Sequence, residues 1–195
     1  MRGRSDPAAA LLSGVQNADA PPRMNVFLVG PMGSGKSAVG RQLAQRLNLE
    51  FIDSDAEIEA RTGVDIAYIF EREGEAGFRS REAEVIDALS RRDRVLVSTG
   101  GGAILDASTR ERLRARGRVV YLRTSVDQQL ARTRRSNDRP LLNNDDPRGT
   151  LERLFEQRAP LYTEVAEIVV DTDGRKVKAV VDQICHQLGI DGVEP

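Results

Sequence analysis

The chain reads as an α/β domain built on one parallel sheet of about five strands flanked by helices. Three observations predict it. From Met24 onward, short apolar runs rich in β-formers alternate with segments of helical period, the pattern of parallel strands joined by crossover helices. The first run is followed at once by Gly30-Pro31-Met32-Gly33-Ser34-Gly35-Lys36-Ser37, a glycine loop of the form G-x-x-x-x-G-K-S that opens a helix. The alternation is then broken twice, by a long helical excursion after the second strand and by a polar, proline-bracketed stretch after the fourth. Together these give a P-loop NTPase-type sheet with a small helical substrate-binding subdomain and a lid.

Met1–Arg23 is rich in Ala, Pro, Ser and Gly, and its apolar run Ala8–Leu12 is too short for a signal-peptide core. Residues 1–23 are therefore expected to be a disordered leader, 24–190 a single domain and 191–195 a tail. Strands are expected at Asn25–Val29, Glu50–Asp53, Arg94–Ser98, Arg118–Leu122 and Ile168–Asp171. The first helix spans about Lys36–Leu47, with Val39, Leu43, Ala44 and Leu47 on one face. The helical excursion, residues 54–90, divides into Ala56–Arg61, Ile66–Arg72 and Gly74–Ser90; Phe78, Val85, Ile86 and Leu89 give the last an apolar stripe. Ser125 and Gln128 have capping-box spacing and start a helix over Val126–Arg135. Residues 136–149, from Ser136 to Gly149, read as the lid, a polar loop long enough to be functional. Leu151–Arg158 is helical and is expected to stop before Pro160, and Val177–Leu188 closes the chain with Gly189 as its cap.

Composition excludes several classes. With 195 residues the chain suffices for one sizeable core. A net charge of −1 gives no global field for nucleic acid, and no stretch approaches a membrane span. The single cysteine, Cys185, rules out an intramolecular disulfide framework and fits a reducing compartment such as the cytoplasm. The lone histidine, His186, lies far from the glycine loop and reads as structural. Lys36 stands out because only Lys176 and Lys178 share its type among 29 basic residues. A compact ammonium in a chain that otherwise uses arginine fits a phosphate contact.

The glycine loop predicts chemistry directly. Glycines let consecutive N–H groups turn inward onto phosphate oxygens, and the helix N-terminus adds partial positive charge there. Lys36 can reach the β- and γ-phosphates, and the Ser37 hydroxyl can ligate Mg²⁺. Asp53 and Asp55 bracket Ser54 at the end of the second strand; if the chain stays extended there, both carboxylates share a side over the loop. One could then hold Mg²⁺ through water while the other takes a proton from an attacking hydroxyl. Asp55 also reads as a helix N-cap, a role compatible with catalysis. Gly100-Gly101-Gly102 at a strand's carboxyl end would let a substrate lie against the backbone, or simply form a turn. On pattern alone, Arg79, Arg139 and Arg158 serve equally as surface ion-pair partners.

These pieces occur in order with Arg61-Thr62-Gly63, Gly77-Phe78-Arg79, Arg81-Glu82, Arg139-Pro140-Leu141-Leu142 and Arg158-Ala159-Pro160-Leu161-Tyr162. From Asn25 to Leu188 the chain resembles the shikimate kinases, enzymes of aromatic amino-acid biosynthesis that use ATP. The resemblance implies a cytoplasmic, monomeric, Mg²⁺-dependent kinase with ATP and shikimate as its partners. Gly33, Ser34, Gly35, Lys36, Ser37 and Ala38 would bind nucleotide, with Ser37 and Asp53 serving the metal. Asp55 would hydrogen-bond the hydroxyl to be phosphorylated. Arg79 and Arg158 would hold the shikimate carboxylate, Gly101 would offer its N–H, and Glu82 would orient Arg79. Arg139 would close on the phosphates, while Arg132 and Arg175 would flank adenine. The rival readings are another small-molecule P-loop kinase, such as a gluconate or nucleoside-monophosphate kinase, and a nucleotide switch. The second lacks an Asn-Lys-x-Asp segment to read guanine. A catalytically silent kinase-like interaction domain would be expected to lack a key group, and none is missing.

Overall fold

The computed structural model describes residues 24–133 and 145–190; the leader, the tail and residues 134–144, which include Arg139, lie outside them. Five strands form one parallel sheet: β1 (Val26–Val29), β2 (Glu50–Asp53), β3 (Val95–Ser98), β4 (Arg118–Arg123) and β5 (Ile168–Asp171), in the order β2-β3-β1-β4-β5. β1 occupies the centre because all four of its side chains are apolar and can be buried on both faces. Alternation along it feeds two cores. Phe27 and Val29 join Val97, Val119 and Tyr121 under α3 (Ile66–Ser90), α4 (Ala107–Arg116) and α6 (Pro147–Val165). Val26 and Leu28 join Leu96, Val120 and Val170 under α1 (Lys36–Leu47) and α7 (Val177–Gln187). Cys185 and Ile184 of α7 belong to this second core, so the cysteine packs as a small apolar group.

Several elements depart from the sequence expectation, each for a local reason. Asn25 is not part of β1; its amide donates to Ser90 O and Arg92 O and accepts from Val95 N, tying three chain segments below the sheet. Arg94 precedes β3 in a left-handed conformation (φ 59°), so the strand begins one residue later than expected. α2 (Ser54–Thr62) begins directly after β2, so the Asp53–Asp55 stretch is not extended. A 3₁₀ turn (Ala103–Leu105) and α4 were not expected at all. The sequence of α4 is arginine-rich and buries only Thr109 and Leu113, so no apolar stripe announces it. α6 runs from Pro147 through Pro160 to Val165, well beyond the expected Leu151–Arg158. Asp146 caps it through Gly149 N at 2.9 Å with Pro147 in the first turn, so 147–149 belong to a helix and not to the lid loop. Pro160 is tolerated because the carbonyl it leaves without an intrahelical donor belongs to exposed Glu156, where water can serve. The buried side chains of Arg158, Tyr162 and Val165 hold the helix on course past it. Gly74 (φ 69°, ψ −176°) breaks α3 at the expected point.

α5 (Val126–Thr133) starts as its capping pattern predicts, with Gln128 N bonded to Ser125 Oγ at 3.3 Å. Asp173 adds a second acceptor at the same end, for Ser125 N and the Thr124 hydroxyl.

Candidate active site

In a parallel sheet the carboxyl ends of the strands form one edge, and the chemistry collects there. β1 ends in the glycine loop. At Gly30 (φ 147°) a Cβ would sit 2.6 Å from Leu122 O, so only glycine fits between the loop and β4. Lys36 lies back across the loop, donating to Gly30 O at 2.8 Å and Pro31 O at 2.9 Å. Ser37, in the first turn of α1, donates to Asp53 Oδ2 at 2.8 Å. A hydroxyl and a carboxylate facing each other beside a phosphate cradle form the oxygen-only donor set that suits Mg²⁺. Among the described residues no group of three or more His, Cys, Asp or Glu could hold a metal. A cation here would therefore draw its remaining ligands from phosphates and water.

The second carboxylate reaches the same space by a route other than strand alternation. Asp53 Oδ1 accepts from Asp55 N at 3.1 Å and caps α2. Asp53 is thus the N-cap, and Asp55 sits inside the first turn, where the helix dipole favours its negative charge. Both line the cleft. Ser54, fully buried, accepts from Gly100 N at 3.0 Å and locks the start of α2 to the triple glycine.

The glycines serve the charged groups around them. A Cβ on Gly100 would stand 2.2 Å from Glu82 Oε1 and 2.9 Å from Asp55 Oδ1, and one on Gly102 would stand 2.3 Å from the Arg79 guanidinium carbon. None of the three has positive φ. Two of them are therefore cut-outs for a carboxylate pair and a guanidinium. At Gly101 a Cβ would meet nothing closer than 3.6 Å.

Arg79 and Glu82, three residues apart on α3, meet at 2.6 Å, and Glu75 holds the same guanidinium at 3.1 Å. Glu82 is 1% exposed. Burial pushes its carboxyl above the usual range and the charge of Asp55 adds to this, while Arg79 and Arg158 oppose it. For Arg79, burial pulls the pKa down, but Glu82 and Glu75 outweigh it and the net shift is upward. Arg158 projects from α6 and is 5% exposed, with its Nε buried and without a hydrogen-bond partner.

One cleft of about 900 Å³ brings these together. Of the predicted residues, Gly33, Gly35, Lys36, Ser37, Ala38, Asp53, Asp55, Arg79, Glu82, Gly101, Arg132 and Arg158 line it. Arg132 bonds Gly33 O at 2.9 Å and Thr172 O at 3.1 Å, joining the glycine loop to the turn after β5. Ser34 is buried behind the loop and does not line the cleft. Arg175 points elsewhere, to Asp171 O and Ala179 O. The cleft also contains residues that the sequence reading did not assign to it, including Ser98, Thr99, Ile66, Ala67 and Phe70. Phe70 lies 4.8 Å from Phe78 between ring centroids and extends the apolar wall that Phe78 begins. A four-residue spacing from Ile66 along the first half of α3 was the available signal. A second cavity, about 530 Å³ between α2 and α3, contains none of the predicted residues.

Comparison with known proteins agrees with this geometry. A family model described as shikimate kinase matches residues 32–189. A shikimate kinase of Shewanella amazonensis is 56% identical over 167 residues, covering 86% of this chain and 98% of the relative. The solved structure of a shikimate kinase from Acinetobacter baumannii in complex with shikimate is 46% identical with a TM-score of 0.85, covering 89% of this chain and 97% of that one. A gluconokinase from Sinorhizobium meliloti shares the fold alone, at 18% identity and a TM-score of 0.50 over 87% of this chain and 98% of its own.

Proposed function

The chain belongs to the shikimate kinase family, and on that premise we propose that it transfers the γ-phosphoryl group of ATP to the 3-hydroxyl of shikimate. The products are shikimate 3-phosphate and ADP, a step of aromatic amino-acid biosynthesis, carried out by a monomer in the cytoplasm. Among the described residues no helix is long and apolar enough to cross a membrane. The observation that carries the reading is the cleft itself. It joins a phosphate cradle, a hydroxyl–carboxylate pair suited to a hard cation, a second carboxylate, the half-buried Arg79 and the buried Arg158.

The residues divide the work by charge. Backbone N–H groups from Gly33 to Ala38 cradle the ATP phosphates, and Lys36 exchanges its two carbonyl partners for phosphate oxygens. Ser37 and Asp53 would hold Mg²⁺, which would supply positive charge against that of the ATP phosphates. Arg79 and Arg158 clamp the acceptor's carboxylate at the far end of the cleft, with Glu82 holding Arg79 in place and Gly101 offering its N–H. The acceptor oxygen attacks the γ-phosphorus, the bond to the bridging oxygen breaks with its electron pair leaving on ADP, and the acceptor's proton passes to Asp55. Arg139, which lies outside the described residues, is assigned to the ATP phosphates by its sequence motif. Arg132, tied to the glycine loop, flanks adenine.

The test is ADP release with ATP and a panel of acceptors. Shikimate is expected to be the one good substrate; turnover of gluconate or a nucleoside monophosphate at a comparable rate would overturn the assignment.

A further inference from the structure

We propose that Tyr162 is a positioning residue for the acceptor: its hydroxyl fixes the Gly101 peptide and the Arg158 guanidinium against each other, in register with the phosphate cradle. The inference deepens the acceptor reading above and rests on it. Tyr162 lies four residues after Arg158 on α6, so both project from one face. They are 1% and 5% exposed. The Tyr162 ring stacks on Tyr121 with centroids 4.9 Å apart, which leaves the hydroxyl as its polar end. That hydroxyl donates to Gly101 O.

A phenol has one proton to give. With it committed to Gly101, the oxygen can only accept from Arg158. Burial pushes the hydroxyl's pKa upward, and the charge of Arg158 is the largest influence opposing it. The net shift is upward, so the hydroxyl stays protonated at any working pH and keeps its bond to Gly101. The peptides are all trans among the described residues, so the Gly102 N–H points opposite to the Gly101 carbonyl. Pinning that carbonyl therefore orients a donor that faces away from Tyr162.

The same hydroxyl sits at the boundary of the two half-sites. A Cβ on Gly101 would be 3.6 Å from each of the Tyr162 hydroxyl, Gly30 O and Met32 N. Gly30 O also accepts from Lys36 Nζ. A buried tyrosine needs some partner for its O–H. Here the partner is the peptide that lines the cleft, and the neighbouring cation is the acceptor clamp.

Tyr162→Phe keeps the ring, its stacking and its burial while removing only the bond. Leaving a buried carbonyl unpaired and one guanidinium unregistered should raise KM for shikimate about tenfold. The KM for ATP should stay within about twofold and kcat within about threefold. On the carboxamide analogue of shikimate, the same substitution should cost less than about twofold, because the carboxylate that the positioned guanidinium holds is gone. A lowered Tm with an unchanged shikimate KM would reduce Tyr162 to a structural residue and overturn the proposal. So would equal penalties on shikimate and on its carboxamide. If the parent enzyme itself does not discriminate against the carboxamide, the clamp reading fails first, and that result is seen without any Tyr162 variant.

Discussion

Alanine at each of the three glycines after β3 should have sharply different effects, although the residues are adjacent and chemically identical. None has positive φ, so alanine adds no backbone strain and only its Cβ matters. At Gly100 the new carbon would stand 2.2 Å from Glu82 Oε1, whereas ordinary contact begins at 3.4 Å, so the carboxylate must retreat by about 1.2 Å. Glu82 has little room to do so, being 1% exposed and bonded to Arg79 at 2.6 Å. The strain passes to Arg79 and to Asp55. At Gly102 the Cβ would fall 2.3 Å from the guanidinium itself. Overpacking of this kind costs about 1–3 kcal/mol. If that cost falls on transition-state binding, kcat/KM for shikimate drops roughly 5- to 150-fold. At Gly101 the nearest atoms are 3.6 Å away and the peptide N–H is kept, so the loss should stay within about fivefold. The assay is ADP release with shikimate varied, alongside KM for ATP, which should move little in all three. Equal losses at all three positions, or Gly101→Ala as the worst, would refute the reading that Gly100 and Gly102 are cut-outs for charged side chains.

Two further predictions follow from the carboxylates. Asp55→Asn keeps the shape of the first turn of α2 but cannot take the hydroxyl proton, so kcat should fall roughly 10²–10⁴-fold while ATP binding by calorimetry survives; a kcat within threefold of the parent would remove Asp55 from proton transfer. Glu82 has a raised pKa in the folded state, so above the ordinary glutamate range the folded protein retains a proton that the unfolded chain has released. Its contribution to stability is therefore lost as pH rises through that window, and Glu82→Gln should flatten this part of the Tm–pH curve; parallel curves for parent and variant would contradict the shift.

Much of this was legible in the sequence because the signals were local. The glycine loop names its own strand, turn and helix, and the four-residue apolar run at Val26–Val29 could only be a strand buried on both faces. The spacing of Arg79 and Glu82 on one helix face foretold their ion pair. Other features needed tertiary context. α4 has too few buried side chains to show a period, and the persistence of α6 through Pro160 depends on buried Arg158, Tyr162 and Val165 on either side of the usual stop signal. The Asp53–Asp55 pair reaches one cleft, but through a helix cap and a first turn instead of strand alternation. The crowding around Gly100 and Gly102 comes from residues brought in from α2 and α3, which no local pattern contains.

The central claim is that half-buried Arg79 and buried Arg158 hold the acceptor by its carboxylate while the opposite end of the molecule is phosphorylated. The most direct measurement is kcat/KM for Arg158→Ala against shikimate and against its neutral carboxamide. With shikimate, losing one partner of a buried charge pair should cost about 2–5 kcal/mol, and Arg158→Lys should recover only part of it because an ammonium lacks the two-point fork. With the carboxamide, already a poor substrate of the parent, the further loss should be under about 1 kcal/mol, since the carboxylate is gone. Equal losses on the two acceptors would mean that Arg158 does not read the carboxylate, and the assignment of the acceptor end of the cleft would fall.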